Sequence, residues 1–188
     1  MRNAQPCTRL LHNGKLHNIE VEDDVTAYFE FPNGATGTFI TSTGEAPGTN
    51  RFEISLEKGK LINDGGKEVV LHRLDVSQRE FCKTAKEAFI TPKCTVEKLE
   101  IAHEDPQHIG VMQAFAGRIL RGEPLIAEGH EGINGLTLSN AMHLSSWLDK
   151  TVEIPFDEDL FLAELNKRRA GSRAKTGSGV VFDTAGSY

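Results

Sequence analysis

Between two runs of alternating apolar residues lies a polar stretch, Thr41-Ser42-Thr43-Gly44-Glu45-Ala46-Pro47-Gly48-Thr49-Asn50-Arg51. It gathers hydroxyls, an amide, a carboxylate and a guanidinium, groups that hydrogen-bond a polyol, and its glycines let backbone come close to a ligand. Thr43, Glu45, Asn50 and Arg51 are therefore candidate substrate-binding residues. The alternative is an ordinary exposed loop in which Arg51 pairs with a strand carboxylate. His108 joins the candidates because it stands where a helix is predicted to open. There it can hydrogen-bond a substrate or move a proton near neutral pH, or it can cap and pack against the helix start.

The remaining reactive side chains form weaker patterns. Glu20, Glu22, Asp23 and Asp24 offer several carboxylates to a hard cation. Consecutive residues on a strand point to opposite faces, however, so the same run reads as a solvated strand start. The other histidines, His72, His103, His130 and His143, lack a His-x-x-x-His spacing, and no metal site is expected. Cys7, Cys82 and Cys94 are odd in number and share no Cys-x-x-Cys spacing, which leaves neither a disulfide framework nor a zinc knuckle. Packing is their expected role, and no residue is assigned as catalytic.

The elements that must position these residues begin with strands. Val25, Ala27, Phe29 and Phe31 alternate with Thr26, Tyr28 and Glu30, the period of a strand with two distinct faces. Pro32-Asn33-Gly34 turns it, and a second strand from Ala35 to about Thr43 completes an antiparallel hairpin. Arg51–Leu56, Lys60–Asn63 and Lys67–Leu74 continue as a meander, punctuated by Lys58-Gly59 and Asp64-Gly65-Gly66. After an irregular stretch, Thr95–Ala102 is expected as an edge strand because it carries Glu97, Lys98 and Glu100.

Helical spacing takes over after Asp105-Pro106. Met112, Phe115, Ala116 and Ile119 predict a helix with one buried apolar face, stopped at Gly122. A longer helix between Gly129 and Lys150 carries apolar residues round much of its circumference and should be the core helix. A short strand over Thr151–Ile154 ends at Pro155. Asp157 then reads as the N-cap of a last helix through about Arg169, acidic at its start and basic at its end as the helix dipole prefers.

Strands first and helices after predict an α+β fold: an open, largely antiparallel sheet with helices packed on one face. The other face, with its Thr, Tyr and Glu side chains, suits a subunit interface, so a homodimer or higher oligomer is expected there. The 188 residues suffice for one domain over 1–170, followed by a flexible Gly- and Ser-rich tail over 171–188. A net charge of −6 without a basic stripe argues against nucleic acid. No apolar run suits a membrane span or a signal peptide, and the cytoplasm is the expected compartment.

The order of several motifs resembles one family. Val21-Glu22-Asp23-Asp24-Val25-Thr26-Ala27, then Asn33-Gly34-Ala35-Thr36-Gly37 and Gly59-Lys60-Leu61, are similar to the sheet opening of the C-terminal domain in the Gfo/Idh/MocA oxidoreductases. His108 with Phe115, Gly122-Glu123-Pro124, Gly129-His130-Glu131-Gly132, Ser139-Asn140-Ala141 and Ser145 follow that domain's helical half in order. The likeness runs from about Ile19 to Arg169. It implies a full-length relative in which an N-terminal Rossmann domain holds NAD(P) and a sugar or polyol lies between that domain and the sheet.

This chain departs from the family pattern in ways that bear on activity. No strand, Gly-x-Gly-x-x-Gly and helix succession is present, so no cofactor is expected on this chain itself. The family's Glu-Lys-Pro motif has no counterpart, since Glu57-Lys58 runs into Gly59 and Glu97-Lys98 into Leu99. The family's substrate-polarising His and Asp precede the Val-Glu-Asp-Asp segment, and that role is not carried over to His12 or His17. Two function classes remain. One is a substrate-contacting and oligomerisation domain of an NAD(P)-dependent sugar or polyol dehydrogenase, needing a Rossmann domain in cis or in trans and inactive alone. The other is a stand-alone, non-catalytic carbohydrate-binding or assembly module derived from that fold.

Overall fold

The computed structural model describes residues 21–66, 68–100 and 106–172 in full, and the backbone of 8–10 and 16–18. Cys7, His12, Glu20, His103 and the tail beyond residue 172 lie outside the described residues. Among the described residues the fold is α+β, with four α-helices and open antiparallel sheets. The chain divides into two compact units, Met1–Gly44 with Ala127–Tyr188, and Glu45–Ile126.

The first unit opens with a short antiparallel pair, β1 (Thr8–Leu10) and β2 (Leu16–Asn18), with Arg9 opposite His17. The predicted hairpin follows as β3 (Asp24–Glu30) and β4 (Thr36–Ser42), with Ala27 opposite Phe39. Its turn closes because Gly34 sits at φ 81° and donates to the Phe31 carbonyl at 2.9 Å, while the Asn33 side chain accepts from the Ala35 amide at 3.0 Å. Strand alternation puts Val25, Ala27 and Phe29 on one face with Phe39 and Thr41 of the partner strand, and Ala27 is buried. The other face carries Thr26, Tyr28 and Ile40, all exposed.

A 3-10 turn at Gly129–Glu131 leads into the longer helix of this unit, which spans Gly132–Leu148. It is α3 in chain order, because two helices of the second unit precede it. Its second half buries Ala141 and Leu144, one helical turn apart. Its first half leaves Ile133 and Leu136 exposed, so burial is confined to its C-terminal turns rather than extending along the whole helix. Asp149 ends it in the left-handed region at φ 52°, and the Ser145 hydroxyl donates to the Lys150 carbonyl at 2.7 Å. The last helix, α4 (Glu158–Gly171), starts where the sequence puts it: the Asp157 carboxylate accepts from the amides of Asp159 and Leu160 at 3.0 and 3.1 Å. The strand expected over Thr151–Ile154 is absent, since residues 151–153 have no regular structure and Ile154-Pro155 bends. A proline cannot donate to a ladder, and a run this short gains too little to pair.

The second unit contains a four-stranded meander in the order β5 (Arg51–Leu56), β6 (Gly59–Asp64), β7 (Glu68–Leu74) and β8 (Cys94–Leu99). β8 is the expected edge strand. Its charges are partnered along the ladder, with Lys98 on Glu68 at 2.9 Å and Arg73 3.8 Å from Glu97. Between β7 and β8 the supposedly irregular stretch contains a helix, α1 (Gln78–Thr84). Its signal is Ser77-Gln78-Arg79-Glu80, in which the buried Ser77 hydroxyl accepts from the Glu80 amide at 3.2 Å, a serine and glutamate three apart at a helix start.

The fourth helix of the set, α2 (Gln107–Arg121), ends at Gly122 with φ 69° as predicted. Its apolar stripe is not buried: Met112 is 68% and Phe115 56% exposed. Helical spacing specifies which face is apolar but not what covers it. No described helix is long and apolar enough to cross a membrane.

Candidate functional site

The residues selected from the sequence fall into different parts of the structure. Thr43 follows β4 in the first unit, and its amide donates to the Asp23 carbonyl at 2.8 Å. Glu45, Asn50, Arg51 and His108 belong to the second unit. The Asn50 carbonyl accepts from the Gly65 amide at 2.7 Å, which ties the loop end to the turn between β6 and β7. Glu45 is exposed, and His108 sits exposed in the first turn of α2.

Arg51 is committed to its own sheet. Its Nη2 donates to Glu53 Oε2 at 2.9 Å and its Nη1 to Asp64 Oδ2 at 3.5 Å, while Lys60 Nζ reaches the other Glu53 oxygen at 2.9 Å. All four side chains share one face of the sheet, because Arg51 is opposite Asp64 and Lys60 opposite Ser55. The hydrogen bonds from Arg51 and then Lys60 hold the Glu53 carboxyl below its usual range, and the Glu53 bond raises the Arg51 pKa.

A second constellation was not singled out in the sequence. In the first unit a cleft of about 1030 Å³ opens between the β3–β4 hairpin and helices α3 and α4. Val25, Phe29, Phe39, Leu138 and Met142 supply apolar walls. Thr41, Ser139 and Ser146 add hydroxyls, and Glu22, His143 and Arg168 add ionisable groups. Clefts of this mixed kind suit small ligands, since apolar walls exclude water while a few polar groups fix orientation.

The polar end of the cleft is organised round the chain's one tryptophan. Trp147 Nε1 donates to Glu22 Oε1 at 3.3 Å, and His143 Nδ1 lies 3.7 Å from Glu22 Oε2. His143 and Trp147 are one helical turn apart on α3, so both can address the same carboxylate. Phe161 stacks on the indole with centroids 5.5 Å apart, and the Arg168 guanidinium lies 4.2 Å from the ring centroid. Arg168 is also anchored within α4, donating to the Glu164 carbonyl at 2.8 Å and its carboxylate at 2.9 Å. Hydrogen bonds from Lys167 and then Arg168 hold the Glu164 carboxyl below its usual range.

The sequence contained a partial signal for this site. Glu22 lies in the acidic run, but a strand start gives no sign that one member turns toward a helix more than a hundred residues away. His143-x-x-x-Trp147 is visible as a spacing and carries no distinctive chemistry until Glu22 arrives. Among the described residues, no group of three or more His, Cys, Asp or Glu side chains is placed to hold a metal ion. Cys82 and Cys94 are free and exposed.

Every strand pair among the described residues is antiparallel, so these pairs contain no parallel βαβ crossover of the kind whose glycine turn places a pyrophosphate on a helix N-terminus. A comparison with curated proteins finds no match. Against family models, residues 5–62, which are 58 of the 188, match the GFO/IDH/MocA C-terminal domain. The match takes in β1 to β5 and most of β6, and so covers the hairpin that forms one wall of the cleft. The family to which the residue pattern points is thus the family whose C-terminal-domain model this segment matches.

Proposed function

We propose that this chain acts as the substrate-contacting and assembly domain of an NAD(P)-dependent oxidoreductase that acts on sugar or polyol hydroxyls. The observation that carries the reading is the cleft on the β3–β4 hairpin, inside the matched segment, with hydroxyls and a carboxylate set between apolar walls. A polyol needs both kinds of surface: partners for its hydroxyls and apolar contact for its C–H faces. Thr43, Glu45, Asn50 and His108 are further proposed contacts. Arg51 is the least available of that group, because two carboxylates already hold it.

Hydride transfer belongs to a separate dinucleotide fold, on the same polypeptide or another. Residues 1–188 supply ligand contacts and a face for self-association. The proposed face is the exposed side of the hairpin, where Tyr28 and Ile40 stand among threonines.

Calorimetric titration with NADH and then NADPH, followed by saturation-transfer NMR with a polyol panel, tests the reading. The expected result is no saturable heat from either nucleotide and a saturation-transfer signal from polyols. One-to-one nucleotide binding would overturn the division of labour, and the absence of any polyol signal would remove the substrate role. For the assembly role, sedimentation should give a dimer that Ile40→Glu turns into a monomer. A wild-type monomer across the accessible concentration range would refute it.

A further inference from the structure

We propose that the cleft of the first unit takes a glycoside, a sugar or polyol joined to an apolar group, with the hydroxyls at one end of the cleft and the aryl or alkyl group at the other. The proposal rests on the sugar or polyol reading above and specifies what that sugar is attached to.

The lining changes character along both of its walls. Glu22 marks the polar corner, because it meets Trp147 Nε1 at 3.3 Å and lies 3.7 Å from His143 Nδ1. On the hairpin wall Val25 and Thr41 are opposite each other next to that corner. Phe39 follows opposite Ala27, and Phe29 stands opposite Gly37 toward the turn. From Val25 to Phe29 the strand advances about 13 Å. The helix wall leaves the same corner. Trp147, Ser146 and His143 belong to the last turns of α3, while the lining residues Leu138 and Gly135 lie turns earlier, Gly135 about 18 Å along the axis from Trp147. Both walls thus run from hydrogen-bonding groups to apolar ones.

One sugar ring uses only part of such a site. The volume of about 1030 Å³ lies at the upper end of the range that holds drug-sized ligands. Apolar surface stands open in it, with Phe39 44% and Leu138 39% exposed. Gly135 adds room, since a Cβ placed there meets nothing within 4 Å. A sugar at the polar corner exchanges hydrogen bonds with the Glu22 carboxylate and the hydroxyls of Thr41 and Ser146. It leaves the phenylalanine and leucine walls wet. An apolar substituent on that sugar removes those walls from water, which is favourable in proportion to the area covered. The reverse orientation is disfavoured, because sugar hydroxyls against Phe29 and Phe39 lose water and gain no partner.

The test uses the intact chain with paired methyl and phenyl glycosides of glucose, galactose and xylose, and benzyl alcohol as the apolar group alone. Dissociation constants are measured by saturation-transfer NMR for wild type and for Gly135→Leu, which fills the open space at the apolar end with a better helix former. Circular dichroism checks that the variant is folded. Isotope-labelled methionine methyls give a second readout in wild type, since Met142 lines the cleft and Met112 lies in the other unit. For at least one sugar the phenyl glycoside should bind about tenfold tighter than its methyl partner, shifting the Met142 methyl and leaving Met112 unmoved. In Gly135→Leu the advantage should shrink to about twofold or less. Equal binding within every pair, or a Met142 methyl that no phenyl glycoside moves, overturns the glycoside proposal and leaves the polyol reading standing. An advantage retained in folded Gly135→Leu overturns it too, as does benzyl alcohol bound as tightly as the phenyl glycosides. If no glycoside binds while a member of the polyol panel does, the glycoside proposal falls alone. If nothing in either set binds, the polyol reading falls with it.

Discussion

Leu144 is the one large side chain that is completely enclosed among the described residues, at 1% exposure, and it lies between His143 and Trp147 on α3. Truncating it to alanine removes buried methyl and methylene groups and leaves a cavity that the surrounding structure fills only in part. Such changes cost about 2–5 kcal/mol. With a urea slope of about 2 kcal/mol per M, a cost of about 3 kcal/mol lowers the unfolding midpoint by about 1.5 M. Trp147 is the natural probe, because it is the chain's one tryptophan and belongs to the same helix. Ile133→Ala is the matched control. That residue is 58% exposed on the same helix, and its loss should change stability by no more than about 0.5 kcal/mol. The same experiment reports on the site, since a loosened α3 should also weaken ligand contacts to His143. A Leu144→Ala midpoint equal to wild type, or an Ile133→Ala midpoint that falls as far, would refute the placement of the core at the C-terminal turns of α3.

Further expectations follow from single positions. Asp157→Ala removes the acceptor for two orphan amides of α4 and should cost about 1 kcal/mol by urea titration, with Asp157→Asn recovering most of it. Gly59→Ala places a Cβ against the His72 carbonyl oxygen at a φ of 141°, and should cost about 2–3 kcal/mol or more and disrupt protection of the β6–β7 amides in hydrogen exchange. Gly117→Ala meets the tip of the Glu123 side chain instead, which can swing away, so its thermal midpoint should stay within a few degrees of wild type. Glu164 has a folded-state pKa below the ordinary 4.5, so its ion pairs stabilise α4 above that pH and are lost as pH falls through the lowered value. Stability curves of wild type and Glu164→Gln should therefore differ at neutral pH and converge in acid. A gap that widens on acidification would contradict the assignment.

Local pattern was enough to determine most of the elements. Alternation gave β3 and β4, the glycine and aspartate turns gave β5 to β7, the charges of Glu97 and Lys98 marked β8 as an edge, and Asp157 and Gly122 marked helix ends. These are nearest-neighbour effects: side-chain period, φ preference and satisfaction of orphan amides act within a few residues, so a linear sequence contains them. Helix α1 was equally local, and its Ser77 to Glu80 signature is readable in retrospect. The burial of α2 could not be read, because amphipathicity names a face without supplying the surface that covers it. The Glu22, His143 and Trp147 constellation could not be read either. It joins the start of a strand to a helix 125 residues away, and only the packing of hairpin against helix brings the carboxylate to the indole. Sequence determined which side chains were available to this protein, and tertiary structure decided which of them meet.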